Sequence, residues 1–302
     1  MKAFIADIGG TNARFAEITP EGFSPSIVLQ VKDFPDFTAA ASTFMQGRKF
    51  DRAAIALAGP VSGDIIALTN HPWRFSLNEV TLALNLTQLK AFNDFEALAL
   101  GLPYLEKLQI LQIGNPSLAV KGVVGPGTGL GMAGLVKTSS GWQALPGEGG
   151  HASIAARNIR EWAVIEKVRQ KFGHVSAERL ISGPGLLNIH HALNEISANF
   201  ACQPATPAQI QPGSACPHCQ ETLQLFLSFL GNVAGNLALT IGAKGGIYLG
   251  GGILTKLKIN LDPLLWAFLD KGRFRSYLTE VPLYLIGDEY PAFLGLKAAI
   301  KD

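Results

Sequence analysis

The sequence predicts an α/β fold in two domains, and three observations carry that prediction. Apolar runs of strand length alternate with longer stretches of helical period, the alternation restarts after Pro103, and a glycine-rich turn that follows the first strand recurs in altered form downstream. The 302 residues are enough for two cores, and a hydrophobic content of 48% is that of a chain that folds. The expected division is residues 1–104 with 286–302 as a small domain and 105–285 as a large one.

In the first part, Ala3 to Ala6 reads as a strand and Arg14 to Ile18 as its hairpin partner, followed by strand Ser26 to Val31, helix Phe37 to Met45 and strand Ala53 to Leu57. After the turn at Gly59 and Pro60 come helix Leu77 to Leu84, strand Gln88 to Phe92 and helix Phe95 to Leu102. The second part opens with strands Leu108 to Ile113, Gly122 to Val124 and Met132 to Val136, then helices Ile159 to Phe172 and Gly185 to Leu193. Thr222 to Ala243 carries no charged residue and is long enough to span a bilayer. Asn232 and Asn236 on one face, Gln224, and the interruptions at Gly231 and Gly235 make it a buried helix of an α/β protein instead. A strand then enters the cluster Gly250-Gly251-Gly252 and continues as the helical stretch Leu254 to Lys258. Strand Leu283 to Ile286, across which the expected boundary falls, and helix Ala292 to Ile300 end the sequence and could return to complete the first domain.

The two glycine turns are Asp7-Ile8-Gly9-Gly10-Thr11-Asn12 and Gly125-Pro126-Gly127-Thr128-Gly129-Leu130-Gly131. Each lies between two strands, so each reads as a hairpin whose glycines, through positive φ angles, turn N–H groups inward beside the hydroxyl of Thr11 or Thr128. A glycine pair alone makes only a hairpin, but the duplication points to two phosphate cradles and hence to a nucleoside triphosphate. Asp7, ending its strand beside the turn, can hold Mg²⁺ through water. Neither turn is a G-x-x-x-x-G-K-[ST] loop, and neither leads from strand into helix as a dinucleotide site does. The Gly250 to Gly252 cluster allows close approach either to a flat ligand such as adenine or to a neighbouring helix.

Composition excludes several classes. The 25 basic and 23 acidic residues are mixed along the chain, which leaves no electrostatic footprint for nucleic acid. Three cysteines and no signal-peptide pattern after Met1 point to a reducing cytosol. Cys216-Pro217-His218-Cys219 is the one spacing that suggests zinc. Even with Cys202 and His218 nearby, a single C-x-x-C in a Pro- and Gln-rich stretch reads as a metal-free surface loop.

Polar groups concentrate in Asn93-Asp94, Glu148-Gly149-Gly150-His151, Glu178, and Ser182 to Gly185. Carboxylates accept from alcohols, while an amide and an imidazole both donate and accept, so the set suits a polyol better than an acid. Asp94, at a strand-to-helix junction, reads either as a helix N-cap or as a base.

Taken together, DIGGTNARFA from Asp7, AGP from Ala58, LTNHPW from Leu68, FNDFEA from Phe92, GPGTGLG from Gly125, LPGEGGH from Leu145, GHVSAERLISGPGL from Gly173 and GGIYLGGGI from Gly245 resemble the bacterial hexokinase-like glucokinase family. The runs cover nearly the whole chain in the family's order. The resemblance implies a two-domain actin-like (ribonuclease H-like) sugar kinase fold with a cleft between domains that closes on the sugar. It further implies a cytoplasmic homodimer that phosphorylates the 6-hydroxyl of glucose with MgATP. By the same resemblance Asp94 is the catalytic base, and Asn93, Glu148, His151 and Glu178 hold sugar hydroxyls. Gly9, Gly10, Thr11, Thr128 and Gly129 hold the phosphates, and Gly250 to Gly252 the nucleoside side. A kinase for mannose or fructose, a nonenzymatic glucose sensor and an actin-like ATPase are the rivals. The sister repressor and sugar-kinase family carries clustered cysteines shortly after its E-x-G-H, whereas here no cysteine follows His151 until Cys202.

Overall fold

A computed structural model describes residues 2–68, 73–115, 120–198, 202–256 and 259–301. The sequence run Thr69 to Pro72 and the end of the helical stretch at Leu257 and Lys258 therefore lie outside the described residues. The chain forms two compact units, residues 1–106 with 288–302 and residues 107–287.

In the first unit the elements are β1 (Ala3–Ile8), β2 (Asn12–Glu17), β3 (Ile27–Gln30), α1 (Phe37–Met45), β4 (Arg52–Leu57), β5 (Ile65–Ala67), β6 (Arg74–Ser76), α2 (Leu77–Ala83), β7 (Gln88–Asn93) and α3 (Asp94–Gly101). The sheet runs β3-β2-β1-β4-β7, with β1, β2 and β3 antiparallel in sequence and β4 and β7 parallel to β1. Period-two alternation sorts β1 between two cores. Phe4, Ala6 and Ile8 face an aromatic cluster with Phe15, Phe37, Phe44 and Phe50, in which Phe15 and Phe44 stack at 5.2 Å, while Ile5 faces Ala97 and Phe293. Asp36 starts α1 by accepting the Ala39 N–H at 2.8 Å.

The second unit contains β8 (Leu108–Gln112), β9 (Lys121–Pro126), β10 (Leu130–Thr138), β11 (Gly141–Gly147), α4 (Ile159–Phe172), α5 (Gly183–Ser197), α6 (Pro217–Ile241), β12 (Ile247–Leu249), α7 (Gly252–Lys256), α8 (Asp262–Leu269), α9 (Arg275–Thr279) and β13 (Leu283–Ile286). Its sheet, β11-β10-β9-β12-β13-β8, repeats the logic of the first, an antiparallel meander extended by parallel strands. An antiparallel edge strand, β8, is added on β13. Strand Leu283–Ile286 thus belongs to the second sheet, contrary to the expectation that it returns to the first. Its partners β12 and β8 supply the hydrogen bonds, while α10 (Pro291–Lys301) packs into the first unit.

The long apolar helix α6 meets the length and hydropathy of a membrane span, yet Phe226, Phe229 and Leu230 are fully buried in the second unit's core. Its glycines bring α8 into backbone contact: a β-carbon at Gly231 would collide with the Leu264 carbonyl, and one at Gly235 would lie 2.7 Å from the Phe268 oxygen. In the first unit, Gly295 of α10 makes the same approach to the Ala97 carbonyl of α3, with the Gly101 nitrogen 2.7 Å from the added atom. Because backbone must move there, Gly295→Ala is expected to lower unfolding stability by about 1–3 kcal/mol in urea denaturation. An unchanged midpoint would show that the two helices separate freely.

Candidate functional site

In the first unit, the parallel strands end together. Ile8, Leu57 and Asn93 lie in register, so the turn after β1 and the start of α3 occupy the same edge of the sheet. Asn93, not Asp94, is the N-cap. Its Oδ1 accepts the N–H groups of Phe95 (2.9 Å) and Glu96 (3.3 Å), and the Glu96 carboxylate accepts the Asn93 N–H at 3.4 Å, a complete capping box. The amide nitrogen also donates to the Gly59 carbonyl at 3.1 Å. With both lone pairs and one N–H committed, Asn93 retains a single N–H for another partner. The cap reading of Asp94 is therefore corrected: it is the first residue of the helix, accepting the Phe95 N–H at 2.9 Å.

Asp7 lies on the opposite face of β1 from Ile8, 3.6 Å from the Arg14 guanidinium across the hairpin. Burial raises its carboxyl above the usual range, and Arg14 works against that rise. Arg14 was not singled out from the sequence; its direct pairing with Asp7 across a tight hairpin is the signal that could have found it. The turn itself differs from expectation, since Gly9 and Gly10 do not take positive φ. The Gly9 N–H closes the hairpin onto the Asn12 carbonyl at 2.9 Å. A phosphate at this turn would meet the amides of Gly10 and Thr11 and not that of Gly9.

The second unit brings Glu148, His151, Glu178, Thr128 and Gly129 into one connected neighbourhood. Glu178 accepts the Leu130 N–H at 2.9 Å, and a β-carbon at Gly129 would collide with that carboxylate. A side chain there would displace the Glu178 carboxylate from this position, and neither Gly127 nor Gly129 adopts a positive φ. Gly150 lies against the Leu130 carbonyl, where any side chain would collide. The short turn Gly149–His151 then presents the His151 ring 4.0 Å from the Glu148 carboxylate, both well exposed. Hydrogen bonds from Ala177 N–H to the Ala152 carbonyl (2.9 Å) and from Ile154 N–H to the Val175 carbonyl (3.2 Å) tie that turn to the one carrying Glu178.

The Ser182 cluster is not part of the hydroxyl-binding set. Ser182 is buried, donating to the Glu178 carbonyl at 2.8 Å and accepting the Gly185 N–H at 3.0 Å as the cap of α5. The adjoining Gly183 and Pro184 instead line a mainly apolar cavity of about 850 Å³ together with Gly127, Thr128, Gly252 and Ile253. Another wall, Pro207, Ala208, Ile210, Gln211 and Pro212, was missed from the sequence because nothing in its Pro- and Gln-rich composition marks a binding surface. The glycine cluster after β12 divides its labour. Gly251 has φ +90° and meets the Pro126 carbonyl, so it serves packing, whereas Gly252 opens into the cavity. An apolar cavity that begins at a glycine turn suits a planar base whose phosphates reach Thr128 and Gly129.

The cysteine stretch is also corrected. Cys216 and Cys219 are not in a surface loop: Cys216 caps α6, Cys219 is buried in its first turn, and Cys202 and His190 of α5 converge on them. His218, the histidine within the motif, faces elsewhere, with Nδ1 2.6 Å from the Asn194 Oδ1 and Nε2 3.2 Å from the Ser197 hydroxyl.

Comparison with known proteins gives the family and the fold. A family profile described as Glucokinase matches residues 4–302. A glucokinase of Chromobacterium violaceum is 40% identical over 99% of this chain and 89% of its own length, and one of Cupriavidus pinatubonensis is 43% identical over 99% and 92%. The crystal structure of a glucokinase from an Antarctic psychrotroph superposes with a TM-score of 0.90 at 33% identity, covering 99% of this chain and 98% of that one. A ROK-family glucokinase from Streptomyces griseus, solved with glucose and AMPPNP, shares the two-domain actin-like fold at a TM-score of 0.67 and 16% identity, covering the full length of both chains.

Proposed function

The chain belongs to the glucokinase family, and on that premise we propose that it transfers the γ-phosphoryl group of ATP to the 6-hydroxyl of D-glucose with Asp94 as general base. One observation supports the assignment of roles above the others. The Glu178 carboxylate is joined to the second glycine turn by the hydrogen bond from Leu130, so a group suited to sugar hydroxyls adjoins groups suited to phosphate. Asp94 accepts the proton of the 6-hydroxyl as that oxygen bonds to the γ-phosphorus, and the bond from phosphorus to the β-bridging oxygen breaks to release ADP. Glu148, His151 and Glu178 hold the remaining hydroxyls, and the last N–H of Asn93 is available to one more. The amides of Gly10, Thr11, Thr128 and Gly129 take charge from the phosphoryl oxygens. The Asp7 carboxylate is the hard oxygen donor that would hold Mg²⁺, one carboxylate with waters being sufficient. The chemistry such an ion would supply is neutralisation of charge on the transferring phosphoryl group. The planar base occupies the cavity walled by Ile253 and Pro207.

A homodimer and a cytosolic location belong to the same proposal. Ile159 and Trp162, one turn apart on α4, are 79% and 55% exposed and offer an apolar surface for such a contact. The function is tested with a panel of hexoses at saturating MgATP, following ADP release. Glucose is expected to give the highest kcat/KM; a higher value with mannose or fructose would reassign the substrate, and ADP release indifferent to sugar would point to an ATPase.

A further inference from the structure

We propose that His190, Cys202, Cys216 and Cys219 form a closed structural zinc site that fixes the wall of the nucleotide cavity. The four donor atoms lie within 4.8 Å of one another. The His190 Nε2 is 3.6 Å from the sulfurs of both Cys202 and Cys216, and the Cys202 and Cys219 sulfurs are 3.8 Å apart. Zinc at about 2.3 Å from each sulfur, in a tetrahedron, separates its ligands by about 3.8 Å. Three edges of the cluster therefore already have the spacing of a coordinated set.

The structure joins Cys202 and Cys216 as a disulfide. That bond uses two donors and leaves the other two aimed at it. Cys219 is a free, buried thiol, and His190 is fully buried with no hydrogen-bond partner at Nδ1 among the described residues. In the reduced chain, zinc engages all four: three thiols release their protons, and the neutral imidazole donates its Nε2 lone pair. The ligands come from α5, from the segment after it and from the start of α6, not from the residues after His151.

What such a site holds follows from its position. Between Cys202 and Cys216, fourteen residues apart, the only helical element is the short turn Pro207–Gln209. Ile210 anchors that segment in the core, while Pro207 and Pro212 face the cavity. Fastening both ends to α5 and α6 keeps this stretch in place against the cavity.

The test is metal analysis of the full chain purified under thiol reductant. About one zinc per chain is expected, with the three cysteines resisting alkylation until a chelator is added. Replacement by Co²⁺ should give sulfur-to-cobalt charge-transfer bands and intense tetrahedral d–d bands. Cys219→Ser and His190→Ala should each lose the metal and bind AMPPNP several-fold more weakly in calorimetry, with glucose affinity unchanged. A zinc-free chain, whether with three freely alkylated thiols or with an intact Cys202–Cys216 disulfide, would overturn the proposal; so would a metal-loaded variant. If the variants fail to fold, the wild-type zinc content and cobalt spectrum still decide. Neither requires kinase activity, so failure of the glucokinase reading would leave this result standing.

Discussion

Asp94→Asn should reduce turnover by roughly two to four orders of magnitude while glucose binding remains measurable, the loss expected when a general base becomes an amide that cannot take a proton. The variant keeps the hydrogen bonds that start the helix. Asn93 provides the cap, and the amide oxygen of the new side chain can still accept the Phe95 N–H that Asp94 accepts at 2.9 Å. Loss of the negative charge at the start of α3 costs about 0.3–1 kcal/mol. Stopped-time assays of glucose 6-phosphate, alongside calorimetry with glucose, separate chemistry from binding. Near-normal turnover in the folded variant would reduce Asp94 to a helix-terminal residue and remove the proposed mechanism.

The second large effect is expected at the sugar hydroxyls. Glu148→Gln and Glu178→Gln each replace a charged acceptor whose hydrogen bond is worth about 1.5–3 kcal/mol, which corresponds to glucose binding roughly 10- to 150-fold weaker. The two should differ in their side effects. Glu148 is exposed and paired only loosely with His151 at 4.0 Å, so its amide variant should leave ATP affinity and stability unchanged. Glu178 also receives the Leu130 N–H beside the second glycine turn, so its variant should weaken ATP by a few-fold as well. Unchanged glucose affinity in both would place the sugar elsewhere.

Much of the fold was readable from the chain because its signals are local. The helices Phe37–Met45 and Ile159–Phe172 and the strand Leu283–Ile286 have the boundaries that period and punctuation indicate, and both glycine turns are hairpins. Missed were β11, which begins and ends on glycine and contains Pro146, and the short β5–β6 hairpin, only three residues per strand. Also missed were α8 and α9, which are eight and five residues long. Elements this short have too few turns or alternations for a period to register.

By itself the sequence determined the α/β alternation, the duplicated glycine turns and the set of residues able to bind a polyol, because periodicity, turn chemistry and side-chain type are properties of neighbours along the chain. Tertiary structure decided what those residues do. It gave the capping role to Asn93, turned Ser182 into a buried cap and assigned Gly129 to making room for Glu178. It also built a cavity wall from Pro207 to Pro212 and set His190 against three cysteines. Each of these depends on atoms brought within a few ångströms by segments far apart in sequence, and only the packing of helices and sheets fixes such distances.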